Sequence, residues 1–547
     1  MGKLADATPH RRALGQWSTA LPVAELVLAA LAPLDPRWRV LDPTCGEGAF
    51  LGACRAAGLR SLTGLEIDRQ AAAHARTNVP GATIVDGDLL SGGRTGSFEL
   101  VIGNPPWVRA GSVDPKIKRE RAALIAADWP ELDRTLVEGV ARLADVAATC
   151  LLRALRLVEP GGRLALVMST ALLDADGAAP LWRAVQQVAS VRALITAPGE
   201  RWFADAAVNP MIVLAERCAS TAPPRLLRLA VPTSVASRAR GLDAVAACCD
   251  ERRATADASA WGPALRAPAA WFAWREAAGD AVVPLRALAD VRRGITTGAN
   301  DVFYLKRTEA TALRLEPRYL ADVVRSPFNG SPAPIAIAPG ESPVVALALP
   351  ADATLARVPR IAAWLRRHAD AAERTSVRRR DPWWSLPVDP ARLFLAKAYG
   401  PRFVQRLADL PMLADQRVYA LTPRAGVSLP ALAAVLNALP TALALESLGR
   451  ASMGFGAVEW TVADAMELPV LDVRRADRRS IAALARALAG FGHRPIDHVR
   501  VERGRVDRIE LDRVALGLAP GADLADAMWD ALLASVALRD RYLLPTV

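Results

Sequence analysis

The sequence predicts an α/β fold, with an open, doubly wound sheet over residues 37–217 and a second folded region after it. Short apolar runs alternate with stretches of helical pattern throughout the first region, which is typical of this class. Several of the apolar runs also end directly in a polar residue. Because the carboxyl ends of parallel strands share one edge of a sheet, we expect these residues to line a single ligand crevice.

The expected elements alternate in order along the first region. Strands are expected in RVLDP, SLTGLEID, ATIVDGD and FELVIGNPP, at 39–43, 61–68, 82–88 and 98–106. Helices are expected between them in AFLGACRAAG and RQAAAHARTN, at 49–58 and 69–78. A longer helix is then expected over 143–162, followed by a strand over 163–170.

Composition narrows the function classes. The 547 residues are too many for one ordinary core, and the net charge of +11 favours a polyanionic partner. Six scattered cysteines and five dispersed histidines indicate neither a disulfide framework nor a metal site, so a cytoplasmic setting is expected. No signal peptide is expected at the N-terminus, and the apolar stretch 427–446 is interrupted by prolines, which predicts packed helices and no membrane span.

Four polar residues each follow a predicted strand, namely Asp42, Glu66, Asp88 and Asn104. After the first, the glycines of DPTCGEG permit a tight turn and close approach of a ligand, although a purely structural turn stays open. The loop is not the G-x-G-x-x-G fingerprint, and it lacks a Walker lysine. Glu66 can accept hydrogen bonds from ribose hydroxyls, and Asp88 from an adenine amine. The alternative interpretations are that Glu66 is an ordinary exposed acid and that Asp88 is a turn-forming residue.

The motifs DPTCGEG, GLEID, GDLL and NPPW, in this order, resemble those of class I S-adenosylmethionine-dependent amino-methyltransferases. Within that class, the motifs resemble more specifically those of the N6-adenine DNA methyltransferases, including the enzymes of restriction–modification systems. It extends upstream to GQWSTALPVAELVLAAL and downstream to LRLVEPGGRLALVMSTALL and ERWFADAAVNPMIVLAE, and covers most of residues 10–217. It implies a Rossmann-like methyltransferase sheet followed by an α+β target-recognition domain.

The resemblance also implies which residues bind S-adenosylmethionine. Ser18 and Thr19 would lie near the methionine end of the cofactor, and Pro22 would shape the turn after them. The full cofactor set is Ser18, Thr19, Asp42, Pro43, Gly46, Gly48, Glu66, Ile67, Asp88, Leu89 and Asn104. The loop residues Thr44 and Cys45 depart modestly from the family pattern.

The implied catalytic residues are Asn104, Pro105, Pro106, Trp107 and Phe203. The side-chain oxygen of Asn104 and the carbonyl of Pro105 would accept the N–H bonds of the target amine, in a backbone that the prolines fix. Trp107 would stack on a flipped base, where the family usually has Tyr or Phe. Phe203 matches the second stacking aromatic. It can also be a core residue, and Trp202 could exchange roles with it.

The second region resembles the target-recognition domains of restriction-linked members, through DVRRGITTGANDVFYL, RRRDPWWSLP, LADQRVYALTP and SMGFGAVEWTVADAMELPV. Five arginines would meet DNA phosphates, or else form a solvated surface: Arg292, Arg293, Arg378, Arg379 and Arg380. We expect at least one of Trp383 and Trp384 in a core. The expected organisation is a methyltransferase domain over 1–220, a connector over 221–280, the recognition domain over 281–475 and a helical tail over 476–547.

The leading hypothesis is a monomeric adenine-N6 methyltransferase that acts on double-stranded DNA in a restriction–modification or phage-defence system. RNA or a protein glutamine are the alternative substrates, because N-P-P-aromatic serves any planar amino group. Cytosine-N4 enzymes more often carry Ser at the position of Asn104. A DNA-binding defence subunit with incidental or lost methylation is a further alternative, against which the intact Asn104, Glu66 and Asp88 argue. A fused nuclease is not expected, whereas a separate nuclease subunit stays open.

Overall fold

A computed structural model describes residues 19–91, 97–107, 115–143, 146–174, 178–203, 209–325, 332–450 and 457–540. The first of two compact units comprises the described residues up to Arg266 together with Arg450, and the second comprises the other described residues from Ala267 onward. Each unit is built around its own sheet.

The first unit contains a nine-stranded sheet in the order β3-β2-β1-β4-β5-β7-β6-β8-β9. The strands are β1 Arg39–Asp42, β2 Ser61–Glu66, β3 Thr83–Asp86, β4 Phe98–Gly103, β5 Val158–Ser169, β6 Ser190–Thr196, β7 Pro210–Glu216, β8 Arg225–Leu229 and β9 Cys249–Arg252. The strands from β3 to β5 pair in parallel, while β7 is antiparallel to both β5 and β6. The doubly wound α/β sheet is therefore confirmed.

Helices cover both faces of this sheet. They are α1 Leu21–Leu31, α2 Ala49–Ala56, α3 Arg69–Asn78, α4 Pro115–Asp128, α5 Arg134–Leu143, α6 Val146–Leu157, α7 Ala171–Asp174, α8 Ala178–Val188, α9 Thr233–Ala236, α10 Leu242–Ala246 and α11 Trp261–Arg266. Alternate strand residues enter opposite cores: Val101 packs in the core that holds α6, whereas Leu100 and Ile102 pack in the core that holds α1. Burial on both faces explains why the central strands are continuous apolar runs.

The helix expected over 143–162 ends at Leu157, and β5 begins at once with Val158. The register between β4 and β5 shifts after the pair Phe98–Val158, so that residues 159–162 form a bulge. Proline and two glycines occupy this bulge, and Gly161 has a φ of 79°. They stop the helix earlier than its apolar pattern suggests.

The segment expected as a connector, 221–280, is folded. Strand β8 pairs in parallel with β6, and β9 pairs antiparallel with β8, so both extend the first sheet. Leu226 and Leu227 are fully buried, one in each core. Burial of these short strands depends on β6, which is distant in sequence, and local periodicity therefore failed to reveal them.

The second unit has a mixed sheet with β11-β19-β16-β18-β13-β15-β12 in order and β14 beside β18. The strands of this unit are β10 Val282–Pro284, β11 Ala289–Arg293, β12 Tyr304–Lys306, β13 Leu320–Val324, β14 Ala336–Ile337, β15 Val344–Leu347, β16 Ala391–Ala396, β17 Ala398–Tyr399, β18 Arg406–Ala414, β19 Val418–Pro423, β20 Val458–Glu459 and β21 Pro469–Leu471. Its helices are α12 Ala269–Ala278, α13 Asn300–Phe303, α14 Arg307–Ala312, α15 Pro359–Arg367, α16 Leu429–Leu436, α17 Leu439–Leu448, α18 Val462–Met466, α19 Arg478–Gly492, α20 Val499–Glu502, α21 Val506–Leu516 and α22 Ala525–Asp540. Most strands lie between Val282 and Pro423 and most of the longer helices lie between Leu429 and Asp540, which is the tendency of an α+β domain.

The last helices belong to the second unit. Leu484 of α19, Leu511 of α21 and Leu532 of α22 are buried in the same core as Leu393 and Leu421 of the sheet. The described part of the segment expected as a helical tail, residues 476–540, therefore packs into the core of the second unit. The apolar stretch 427–446 forms the buried helices α16 and α17. Among the described helices, no single one is long and apolar enough to cross a membrane, and only this pair, bent by 57°, has the combined length and composition.

Candidate functional site

The carboxyl ends of β1 and β4 lie side by side at the centre of the first sheet. Leu41 of β1 pairs with Val101 of β4. Beyond this pair, Asp42 at the end of β1 and Gly103 at the end of β4 approach each other closely. A Cβ atom on Gly103 would lie 2.6 Å from Oδ1 of Asp42. Only glycine permits this approach, so the two strand ends that carry the predicted motifs are held together at one edge.

Asp42 is buried beneath the loop that follows β1. Its side chain is 1% exposed, and Oδ1 accepts a hydrogen bond from the backbone N–H of Thr44 at 3.1 Å. Burial, with a smaller contribution from the negative charge of Glu66, raises the pKa of Asp42 to about 8 against the lowering effect of the Thr44 N–H. This carboxyl therefore has a structural part in the loop, with a protonation state that depends on its surroundings.

Glu66 ties the end of β2 to the glycine loop. Oε2 accepts from the backbone N–H of Gly46 at 2.8 Å, and Oε1 accepts from that of Asp68 at 2.9 Å. The side chain is 4% exposed, and burial raises its pKa. It is therefore no exposed surface acid. The next residue, Ile67, is 60% exposed and offers an apolar surface beside the carboxylate.

The loop between β1 and α2 leaves room for a ligand. Gly46 and Gly48 have φ values of 51° and 91°, which side chains rarely adopt. No atom of a described residue lies within 4 Å of the position that a Cβ on Gly46 would occupy. The hydroxyl oxygen of Thr44, which was not among the predicted ligand contacts, is buried and has no hydrogen-bond partner in the described part of the chain. Open space over a glycine and an unsatisfied hydroxyl fit a polar ligand in this loop.

Asp88 follows β3 and starts the 3-10 turn Leu89–Ser91. Its Oδ1 accepts from the backbone N–H of Leu90 at 2.8 Å, and its carbonyl accepts from the hydroxyl of Ser91 at 2.8 Å. Leu89 is 5% exposed. Asp88 therefore forms the turn that one of the two interpretations foresaw. A carboxylate has further lone pairs, so the turn leaves it able to accept from a ligand as well.

Asn104 is joined to the N-terminal side of α1. Its Nδ2 donates a hydrogen bond to Oγ1 of Thr19 at 3.2 Å, and Thr19 is 9% exposed. Pro105 is buried and Pro106 is half-buried. The structure thus brings together Thr19 and Asn104, which are 85 positions apart. Ser18 lies outside the described residues.

Trp107 and Phe203 form an aromatic pair at the same edge. Their ring centroids are 4.9 Å apart with an interplanar angle of 85°, and Phe203 is 4% exposed. Trp107 packs against both cores of the unit, yet its buried Nε1 has no acceptor among the residues that the structure describes. The neighbouring Trp202 donates from Nε1 to Oγ1 of Thr233 at 2.9 Å, so that it is held apart from this pair.

The five arginines of the second unit fall into different groups. Arg292 pairs with Asp389 at 2.7 Å. Arg380 donates from Nη2 to the carbonyls of Thr296 and Thr297, and its guanidinium lies 5.5 Å from the centre of the Phe303 ring. Arg292 is exposed, but its charge is engaged by Asp389. The other three arginines, Arg293, Arg378 and Arg379, are also exposed, as a solvent-facing phosphate ligand requires.

The two tryptophans that follow those arginines are half-buried. Both Trp383 and Trp384 pack against the core around Phe303, and the rings of Trp383 and Phe303 lie 6.3 Å apart. Among the described residues, no group of three or more His, Cys, Asp or Glu is arranged to hold a metal ion.

Sequence comparison matches residues 22–126 to the methyltransferase small domain family. The type II methyltransferase M.CvrRI of Paramecium bursaria Chlorella virus XZ-6E is 34% identical over 94 residues, which are 17% of this chain and 24% of that protein. A second type II methyltransferase, from Thermus thermophilus, is 37% identical over 103 residues, or 18% of this chain and 23% of that protein. The chain therefore matches only about a quarter of the length of each relative.

Structural comparison extends over nearly the whole chain. The type IIL restriction–modification enzyme MmeI, solved in complex with DNA, has a TM-score of 0.54 and 13% sequence identity. The similarity covers 96% of this chain and 71% of that one. At this identity it shows that the two chains share a fold.

Proposed function

We propose that this chain, whose first unit is a class I S-adenosylmethionine-dependent methyltransferase domain of the restriction–modification type, is a site-specific DNA adenine-N6 methyltransferase. The observation that carries the proposal is the position of Asn104-Pro105-Pro106-Trp107 at the end of β4, directly beside the end of β1 and its glycine loop. The two sequence relatives bear the names of type II methyltransferases, and MmeI was solved with DNA, which supports a DNA substrate.

S-adenosylmethionine is the cofactor. When bound, it would supply a methyl group that its sulfonium activates. The target nitrogen would form a bond to this methyl carbon as the C–S bond breaks, and one amine proton would leave to water. We assign the ribose hydroxyls of the cofactor to Glu66, because the carboxylate accepts the backbone N–H groups of Gly46 and Asp68 and so lies at the glycine loop. We assign the adenine ring to the exposed Ile67 and its amine to Asp88. The other described residues that we assign to the cofactor site are Thr19, Asp42, Pro43, Gly46, Gly48, Leu89 and Asn104.

The target base would lie against the N-P-P-W segment. An exocyclic amine is a poor nucleophile because its lone pair is delocalised into the ring. Oδ1 of Asn104 and the carbonyl of Pro105 would accept its two N–H bonds and so favour a pyramidal nitrogen. Trp107, braced by Phe203, would stack on the base. Such a pocket is out of reach for a base within a duplex, so the mechanism includes base flipping.

The second unit would recognise the DNA. We assign phosphate contacts to the exposed arginines Arg293, Arg378 and Arg379. The net charge of +11 adds a general attraction to the polyanion. The biological setting we propose is restriction–modification or phage defence.

The test is methylation by the purified full-length chain with methyl-labelled S-adenosylmethionine. Duplex DNA, RNA and bulk bacterial protein are offered separately, and the products are hydrolysed and identified by mass spectrometry. We expect N6-methyladenine from DNA only, and none with Asn104→Ala, which should still bind S-adenosylhomocysteine. N4-methylcytosine, methylated RNA or methylglutamine would replace the adenine assignment. If only DNA binding is seen, with no product, the chain is a DNA-binding subunit and the catalytic proposal fails.

A further inference from the structure

Arg153 on α6 contacts the turn that follows β3. Its Nε donates a hydrogen bond to the carbonyl oxygen of Leu89 at 3.3 Å, in a buried position. Leu89 is the first residue of the 3-10 turn that Asp88 starts. The guanidinium therefore holds the backbone of the segment to which the proposed function assigns the adenine amine.

The charge of Arg153 is balanced inside the unit. Its side chain is 5% exposed, and Nη1 lies 2.6 Å from Oδ1 of Asp128, which is 13% exposed. A buried cation is costly unless it is paired, and removal of one partner leaves the other unpaired. The pair thus fixes Arg153 in one orientation, in which its planar fork reaches Leu89 and Asp128 together.

Asp128 is the last residue of α4, the helix that comes after the N-P-P-W segment in sequence. The helix end is itself anchored on α6, because Trp129 is 2% exposed and donates from Nε1 to the carbonyl of Leu152 at 3.0 Å. The guanidinium groups of Arg156 and Arg217 lie 5.6 and 5.2 Å from the centre of its ring. The end of α4 is therefore a firm support for Arg153.

We propose that Arg153, held by Asp128, is a positioning residue that sets the turn at Asp88 for selection of adenine in the cofactor. The inference rests on the proposed function, since it takes Asp88 as the acceptor of the adenine amine. Arg153 itself touches neither cofactor nor substrate in this scheme. Arg153 should affect how well the protein distinguishes a purine that carries the amine from one that lacks it, and should leave the other contacts of the cofactor unchanged.

The test compares two ligands that differ at that amine. S-adenosylhomocysteine carries it, whereas S-inosylhomocysteine has an oxygen in its place. Calorimetry on the full-length chain gives the dissociation constant of each. In Arg153→Lys, the shorter amine keeps a charge for Asp128 but loses the planar fork. We expect the constant for S-adenosylhomocysteine to rise about tenfold and that for S-inosylhomocysteine to change less than about twofold, so the preference for adenine is lost.

A second variant and a control separate this role from general destabilisation. Asp128→Asn keeps an acceptor but removes the charge, and should shift the preference in the same direction. Asp174→Asn is the matched control, because Asp174 also pairs with a half-buried arginine, Arg266, at 2.6 Å on elements that carry no proposed ligand contact. It should lower the melting temperature and leave the preference intact.

An unchanged preference in Arg153→Lys, or an equal shift in Asp174→Asn, would overturn the inference and leave the proposed function standing. If the unaltered chain binds neither ligand, the proposed function fails and the inference with it.

Discussion

Oγ1 of Thr19 accepts a hydrogen bond from Nδ2 of Asn104 across 3.2 Å, so the residue two positions before α1 is tied to the residue directly after β4. The bond fixes the rotation of the Asn104 amide. An amide whose NH₂ end is held presents its oxygen in one direction only, which is what a pre-organised acceptor for a target amine requires.

Thr19→Val should therefore lower kcat about 5- to 30-fold, because an isosteric side chain without the hydroxyl removes the bond that orients the amide. Thr19→Ser should restore most of the rate. Methyl transfer under single-turnover conditions gives the rate, and calorimetry gives the affinity for S-adenosylhomocysteine. A weaker affinity with an unchanged rate would show that Thr19 acts on the cofactor and does not orient Asn104.

The buried Nε1–H of Trp107 has no acceptor within the described ranges of the chain, so we expect this donor to be available to the substrate. Replacement of Trp107 by benzothienylalanine keeps the shape and the stacking surface but removes the donor. We expect KM for DNA to rise about fivefold, with kcat little changed. Trp107→Phe, which also reduces the stacking area, should cost more. Equal KM values for the isostere and the natural residue would show that the indole contributes its surface alone.

The pKa of Asp42 is about 8 in the folded protein, against an ordinary value of 3.8, so the folded chain retains a proton that the unfolded chain releases. The contribution of this protonated carboxyl to stability is therefore full below pH 3.8 and is lost progressively as the pH rises through 8. Asp42→Asn should remove this dependence: relative to the variant, the natural chain should lose free energy of unfolding between about pH 5 and about pH 8. Chemical denaturation of both chains at these two pH values measures the difference.

Asp35→Asn is the control for that comparison. The Arg37 side chain holds the pKa of the Asp35 carboxyl at about 2, so its titration falls below the range of the experiment. This variant should parallel the natural chain between the same two pH values. A parallel course for Asp42→Asn as well would mean that the carboxyl is ionised in the folded protein.

A fragment that ends at residue 266 should fold and bind S-adenosylhomocysteine but lose selective DNA methylation. Among the described residues, the two cores of the first unit use none beyond Leu265, whereas the core of the second begins at Ala267. A fragment that ends at 225 should aggregate, because it lacks the fully buried Leu226 and Leu227. Size-exclusion chromatography and calorimetry test both fragments. Site-selective methylation by the longer one would place target recognition in the first unit.

Arg378→Ala with Arg379→Ala should weaken DNA binding and reduce the slope of log affinity against log salt by about 2, since each arginine would neutralise one phosphate. Arg380→Ala is a matched variant in the same tripeptide. The Arg380 guanidinium donates to the carbonyls of Thr296 and Thr297, so the main effect of this substitution should be a lower melting temperature. Titration of fluorescent duplex DNA at several salt concentrations measures the slopes. Identical slopes for the double variant and the natural chain would show that these arginines do not bind DNA.

The central strands and the motifs at their ends were predictable because the signal is local. A strand buried on both faces is an apolar run, and RQAAAHARTN forms a helix over the expected residues, Arg69–Asn78, where Asp68 caps it. Strand β9 has the sequence CDER, which contains no apolar run. It is a strand only because β8 supplies partners for its backbone, and no local pattern encodes that pairing.

The same distinction applies to side chains at the site. Glu66 and Asp88 were identified from their places after strands. The role of Arg380 could not be distinguished from that of Arg378 or Arg379, because it depends on carbonyls more than 80 positions away. Trp202 and Phe203 are adjacent and equally buried, and only their partners, Thr233 and Trp107, separate them.

The two strands beyond β6 also have a consequence for solubility. Without them, the seven-residue strand β6, with its apolar ALI run, would present unpaired backbone groups at the border of the sheet and invite pairing with another chain. Strand β8 has five residues and β9 has four, most of them charged. Arg225 on β8 donates two hydrogen bonds, of 2.8 and 2.7 Å, to the carboxylate of Glu251 on β9. The sheet thus tapers to a short, charged border, which protects it against edge-to-edge aggregation.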